Sequence, residues 1–131
     1  MTSTLIVRDE IPGGHLVPFV VVLHAIARWT RECRWRISQL SARGDVIALF
    51  GKGMVEFERD CADGVVDLSF DQISRLSLLV DDVEDLRVEV LQDGIVQMVV
   101  RCVDSSVWEF ECPDGLSLAE QSQRFDNWEI V

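Results

Sequence analysis

Polar and apolar residues alternate along much of this chain, and where the alternation fails the apolar ones recur every three to four positions. Cys33, Trp35 and Ile37 fall on one side while Arg34, Arg36 and Ser38 fall on the other, the period-two pattern of a half-buried strand. The same period predicts strands where Val55 and Phe57 alternate with Glu56 and Glu58, and where Val66, Leu68 and Phe70 alternate with Asp67 and Ser69. It returns where Leu86, Val88 and Val90 alternate with Arg87 and Glu89, and where Trp108, Phe110 and Cys112 alternate with Glu109 and Glu111. Residues 4–7, 95–103 and 128–131 complete the strand set, with the apolar block 46–50 read as a strand covered on both faces.

Helical spacing appears three times. Leu16, Phe19, Val20, Leu23, Ala27 and Thr30 predict a helix over 17–31 with Pro18 in its first turn, although the run Val20-Val21-Val22 leaves a strand as the alternative. Ser69 and Gln72 have capping-box spacing, and Ile73, Leu76, Leu79, Val80 and Val83 carry a second helix over about 71–81. Ser117 and Glu120 repeat the box ahead of a short helix that buries Leu118, Gln121 and Phe125. Asp93-Gly94 between two strand patterns is a two-residue hairpin turn, since both residues tolerate positive φ. Arg43-Gly44-Asp45, Gly51-Lys52-Gly53, Asp63-Gly64, Asp104-Ser105-Ser106 and Pro113-Asp114-Gly115 break the chain elsewhere. The expectation is one α+β domain spanning 1–131, an antiparallel meander with two to three helices packed on one side.

Composition limits the function classes. At 131 residues, 48% hydrophobic and 27% charged, the chain can bury one substantial core. The longest apolar stretch, 16–27, contains Pro18 and His24 and falls short of the roughly 20 residues a bilayer span needs. Asp9 and Glu10 precede that stretch, and Arg28, Trp29 and Thr30 follow it, which is not the layout of a secretory signal. An unprocessed cytoplasmic chain without membrane contact is expected. Cys33, Cys61, Cys102 and Cys112 form no CxxC pair; Cys33, Cys102 and Cys112 are in phase with apolar neighbours, so small core residues are expected and no metal or cofactor.

No residue set describes catalysis. Gly51-Lys52-Gly53 lacks the second glycine and the hydroxyl of a phosphate loop, and Arg43-Gly44-Asp45 reads as a turn. His15 follows two glycines in a loop and could reach a cleft, whereas His24 sits in the apolar helix as a packing residue. An enzyme would most plausibly use His15.

Charge changes the picture more than any motif. Residues 1–43 hold six arginines against three acids, about +3, while 44–131 hold six basic residues against twenty acids, about −14, for a net −11. Arg28, Arg31, Arg34 and Arg36, interleaved with Trp29 and Trp35, have the composition of a nucleic-acid surface. The net charge opposes a phosphate backbone, so internal pairing or a solvated face is expected and no nucleic-acid partner. Glu56, Glu58 and Asp60 on one strand, Asp81, Asp82, Glu84 and Asp85 after the second helix, and Glu109 with Glu111 form acidic clusters. Together they suit a basic protein partner, because complementary charge speeds encounter and rejects wrong partners.

The segment Val103-Asp104-Ser105-Ser106-Val107-Trp108-Glu109-Phe110, followed by a short helix and Phe125-Asp126-Asn127-Trp128, resembles the carboxyl-terminal half of small bacterial α+β proteins that include immunity proteins. The resemblance covers about a third of the chain. It implies a protein that binds and neutralises a cognate toxin domain, often a basic nuclease, with no catalytic residues of its own. Glu56, Glu58, Asp81, Asp82, Glu84 and Asp85 are then the expected docking surface. The chain also resembles type III secretion chaperones, which are similarly small and acidic and run helix, three strands, helix, two strands, helix; strand 107–112 and the terminal strand depart from that order. A charged concave face would favour the inhibitor, and an exposed apolar patch the chaperone. Monomer and homodimer both stay open.

Overall fold

The computed structural model describes residues 2–113 and 116–131 of an α+β fold. Nine strands and five helices follow one another as β1 (Ser3–Val7), β2 (Glu10–Ile11), β3 (His15–Leu16), α1 (Phe19–Thr30), β4 (Arg34–Gly44), α2 (Ile47–Phe50) and α3 (Met54–Ala62), then β5 (Val66–Leu68), α4 (Phe70–Leu79), β6 (Val80–Gln92), β7 (Ile95–Val103), β8 (Val107–Cys112), α5 (Leu116–Ser122) and β9 (Trp128–Ile130). Seven strands form one antiparallel sheet in the order β5-β4-β6-β7-β8-β1-β9, and β2 with β3 forms a separate ribbon. β6, β7 and β8 run as a meander, whereas the meander expected over residues 33–70 is interrupted by α2 and α3; β1 is slotted between β8 and β9, so both chain ends share one side of the sheet.

Register puts the apolar alternation of β1 and of β4 to β8 on one face of the seven-stranded sheet. Trp35 pairs with Leu68 and Val90, Val90 with Met98, Val100 with Phe110, and Phe110 with Leu5, all buried. Three ring contacts fasten helical segments to that face: Phe19 of α1 stacks on Trp108 at 5.6 Å, Phe70 of α4 lies 6.4 Å from Trp35, and Phe125 after α5 stacks on Phe110 at 5.8 Å. The opposite face carries charge in cross-strand order. Arg36 lies between Asp67 and Glu89, and Arg101 pairs with Glu109 at 3.4 Å and Glu111 at 3.0 Å.

The expected elements hold at most positions. The ambiguous segment 17–31 is a helix, begun by Pro18 as its N-cap. At Ser69 the capping box is complete: Ser69 Oγ accepts the Gln72 amide at 3.2 Å and Gln72 Oε1 accepts the Ser69 amide at 2.9 Å. Asp93 and Gly94 take φ of 53° and 77° between the paired Gln92 and Ile95, as the hairpin requires. The break at Asp114-Gly115, and the part of the second capping box that rests on Ser117, lie outside the described residues.

Two predicted strands are helices. Residues 46–50 and 55–58 become α2 and α3, because Phe57 and Cys61, four apart, are the positions that meet the core, with Phe57 stacked on Phe50 at 4.3 Å. Val55, in phase with Phe57 for a strand, is exposed. α3 covers the edge of β4 left open beyond its short pairing with β5, and there Glu58 accepts the Ala42 amide at 3.3 Å. An otherwise unpaired strand edge is thereby closed. The second helix also ends early, at Leu79, because Val80 and Val83 belong to β6 rather than to a continued helical stripe. Among the described residues no helix is long and apolar enough to cross a membrane.

Candidate functional site

The first half of β6 pairs with β4 alone, since pairing with β7 begins only at Leu86 opposite Cys102. Its free edge is closed by the β7–β8 turn: the Ser105 amide donates to Glu84 O at 2.8 Å, Ser105 Oγ to Val83 O at 3.1 Å, and the Asp104 amide to Asp85 Oδ1 at 3.1 Å. Asp104 and Ser105 reach these partners in left-handed conformation, φ 49° and 56°. The stretch read only as following the second helix is therefore a strand, and a distant turn brings Asp104 to its acids.

Two clefts meet here. One, of about 340 Å³, lies between the β2–β3 ribbon and β6, with Trp108 in its floor and His15, Asp81 and Asp82 in its lining. The other, of about 380 Å³, is lined by Arg43, Asp82, Glu84 and Asp104, and shares Asp82 and Ser105 with the first. Among the described residues none of Asp81, Asp82, Glu84, Asp85 and Asp104 has an ion pair. The buried Cys102 thiol registers their field: burial pushes it up to about 12, the Ser105 backbone opposes the rise, and Asp85, Asp82 and Asp104 add to it.

The six acids expected to dock a partner divide between two places. Asp81, Asp82, Glu84 and Asp85 share the β6 segment, with Asp85 half-buried and tied to the turn. Glu56 and Glu58 lie on α3, two residues apart and so on nearly opposite helix faces; Glu56 is exposed, while Glu58 is committed to Ala42. Asp60 is ion-paired with Lys52, and Glu109 and Glu111 are held by Arg101. Asp104 was not among the expected residues, because in the sequence it marks only a break.

The arginines divide between the two expected readings, internal pairing and a solvated face, and all four are exposed. Arg34 is paired with Asp67 at 2.9 Å, but Arg28, Arg31 and Arg36 have no ion pair among the described residues. Trp35 is fully buried and unavailable for base stacking. His24 is exposed on α1 rather than packed.

His15 lines the first cleft, and among the described residues it has no hydrogen bond to a nucleophile. The nearby Ser105 hydroxyl is turned to Val83 O. All four cysteines are buried and free of disulfides, and the Cys61 thiol, like that of Cys102, is raised to about 12, by burial first and then by Asp60 and Glu58. Among the described residues no three His, Cys, Asp or Glu side chains converge to hold a metal ion.

These thiols make a testable point. A folded-state value above the unfolded one, about 8.5, favours the fold while the thiol is protonated, so this contribution is intact below about pH 8.5 and lost as pH rises toward 12. Iodoacetamide at pH 8 is expected to spare Cys61 and Cys102 in the native protein and label both in urea, read by mass spectrometry. Equal labelling rates in the two states would contradict their burial.

The chain matches no family model, no curated protein and no solved structure.

Proposed function

We propose that the protein is a non-catalytic binding protein whose acidic cleft docks a basic protein domain, as an immunity protein does with a cognate toxin. One observation carries the reading: Asp81, Asp82, Glu84 and Asp104 line adjoining clefts and have no ion pair among the described residues, with Arg43 beside them in the second cleft. Four carboxylates gathered beside one arginine keep a net negative charge and repel one another, and a basic partner relieves that repulsion as it binds. The chaperone reading loses its main support, since α2 and α3 stand where its strands were expected between the first two long helices.

The test is binding to the product of the adjacent gene, by calorimetry at rising salt. Combined Asp81→Lys, Asp82→Lys and Glu84→Lys substitution is expected to weaken binding by about a hundredfold or more, on the order of 3 kcal/mol, with the fold intact by circular dichroism. Wild-type affinity is expected to fall steeply between about 0.05 and 0.3 M salt. In cells, the wild type should restore growth against the partner and the triple variant should not. Salt-independent binding, or undiminished binding by the triple variant, would sink the proposal.

A further inference from the structure

A second cavity, sharing no lining residue with the acidic clefts, lies where the C-terminal end of α1 and α5 face the β6–β7 hairpin. Its volume is about 400 Å³, within the range of small-molecule sites. Trp29, Val90, Ile95, Val96, Met98 and Pro113 give it an apolar wall. In a chain that is 27% charged, no lining residue among the described residues is ionisable.

Gln121 of α5 also lines this cavity. Its side chain is fully buried, and neither Nε2 nor Oε1 has a hydrogen-bond partner among the described residues. Buried carboxamides are normally paired, because a desolvated donor and acceptor left empty both oppose folding. Ser122 beside it shows the ordinary solution, its hydroxyl donating to Ala119 O at 2.8 Å. Thr30 does the same toward Ile26 O at 3.0 Å. Gln121 is thus exceptional in its own surroundings, an unpartnered buried carboxamide on a residue that lines the cavity.

We propose that this cavity binds a small uncharged molecule with a planar amide edge, a lactam or imide fused to an apolar ring. The adjacent donor and acceptor of such an edge are the complement of the Gln121 carboxamide. The apolar wall takes the ring. A charged ligand is disfavoured, since it would be desolvated with no counter-charge among the described lining residues.

The probe is 2-quinolone, compared with naphthalene, which has the ring shape without the amide, and with 2-naphthoate, which adds a charge. Titration of the full chain is followed through the Gln121 side-chain amide resonances. The expected result is a shift of those resonances by 2-quinolone, with affinity about tenfold or more above that for naphthalene and higher still above that for 2-naphthoate. Gln121→Leu should lower quinolone affinity by about tenfold and leave naphthalene binding undiminished. No shift up to the solubility limit of 2-quinolone, equal affinity for it and naphthalene, or quinolone affinity unchanged in Gln121→Leu would each overturn the proposal. If Gln121→Leu does not fold, the ranking and the resonance shift in the wild type decide alone. None of these readings depends on the partner of the acidic cleft.

Discussion

Gly44→Ala is expected to destabilise the protein by about 3 to 5 kcal/mol, a large share of the margin that holds a domain of this size folded. Gly44 adopts φ +146°, a region that L side chains rarely enter. A Cβ there would stand 2.1 Å from Leu79 O and 3.0 Å from the Val80 Cα. Both obstacles are backbone, so no side-chain rotation relieves them. The contact is where β4 ends against the start of β6, with Gly44 opposite Val80. Relief requires those two strands to separate, which moves Asp81 and Asp82 with them. Thermal unfolding should show a midpoint lowered by roughly 10 to 20 °C. Amide exchange should rise first across residues 80–85. A midpoint within a few degrees of the wild type would mean that the close approach is not a constraint of the fold.

Gly44 also marks where sequence reading runs out. In the sequence it is the centre of a turn signal, and the chain does change direction after it, where Asp45 Oδ1 accepts the Ile47 amide at 3.0 Å to start α2. What it does for β6 depends on a residue 36 positions later, and no local pattern records that. The elements that were legible have one local cause each: the Asp93-Gly94 turn, the Ser69–Gln72 box, and the strict alternation through Trp35, Val88 and Phe110. Helices α2 and α3 were not, because Val55-Glu56-Phe57-Glu58 fits a period of two, and five apolar residues at 46–50 are too few to separate strand from helix. The recurrence of Phe57 and Cys61 four apart was the available signal.

The candidate site divides in the same way. Its acids were visible as a cluster in Asp81, Asp82, Glu84 and Asp85, yet their strand conformation rests on pairing with residues 41–44 and on a turn some twenty residues downstream. Glu56 and Glu58 looked equivalent to them on paper. Their helix turns one outward and the other onto the β4 edge, so that only geometry tells a docking acid from one that closes a sheet.

Trp108→Ala is the second large effect, and Trp108→Phe separates its two parts. The indole is buried, stacks on Phe19 at 5.6 Å, and donates from Nε1 to Val17 O at 2.8 Å. Removing the ring leaves a cavity beneath α1, with a cost of about 3 to 5 kcal/mol. Phenylalanine keeps most of the stacking and leaves the Val17 carbonyl without its donor, which costs about 1 to 3 kcal/mol. That carbonyl fixes the segment following the β2–β3 ribbon, whose Val17 amide donates to Asp9 O at 2.8 Å. The phenylalanine variant should therefore loosen residues 9–17, and His15 with them, while β6 keeps its pairing and the turn at Ser105 keeps its bonds to Val83 and Glu84. Hydrogen exchange should show faster opening at Val17 and unchanged protection at residues 86–90. Affinity for a basic partner should then fall only slightly, because Asp81, Asp82, Glu84 and Asp104 stay in place. A loss as large as that of the triple lysine variant would mean that the ribbon wall, rather than the acids of β6, does the binding.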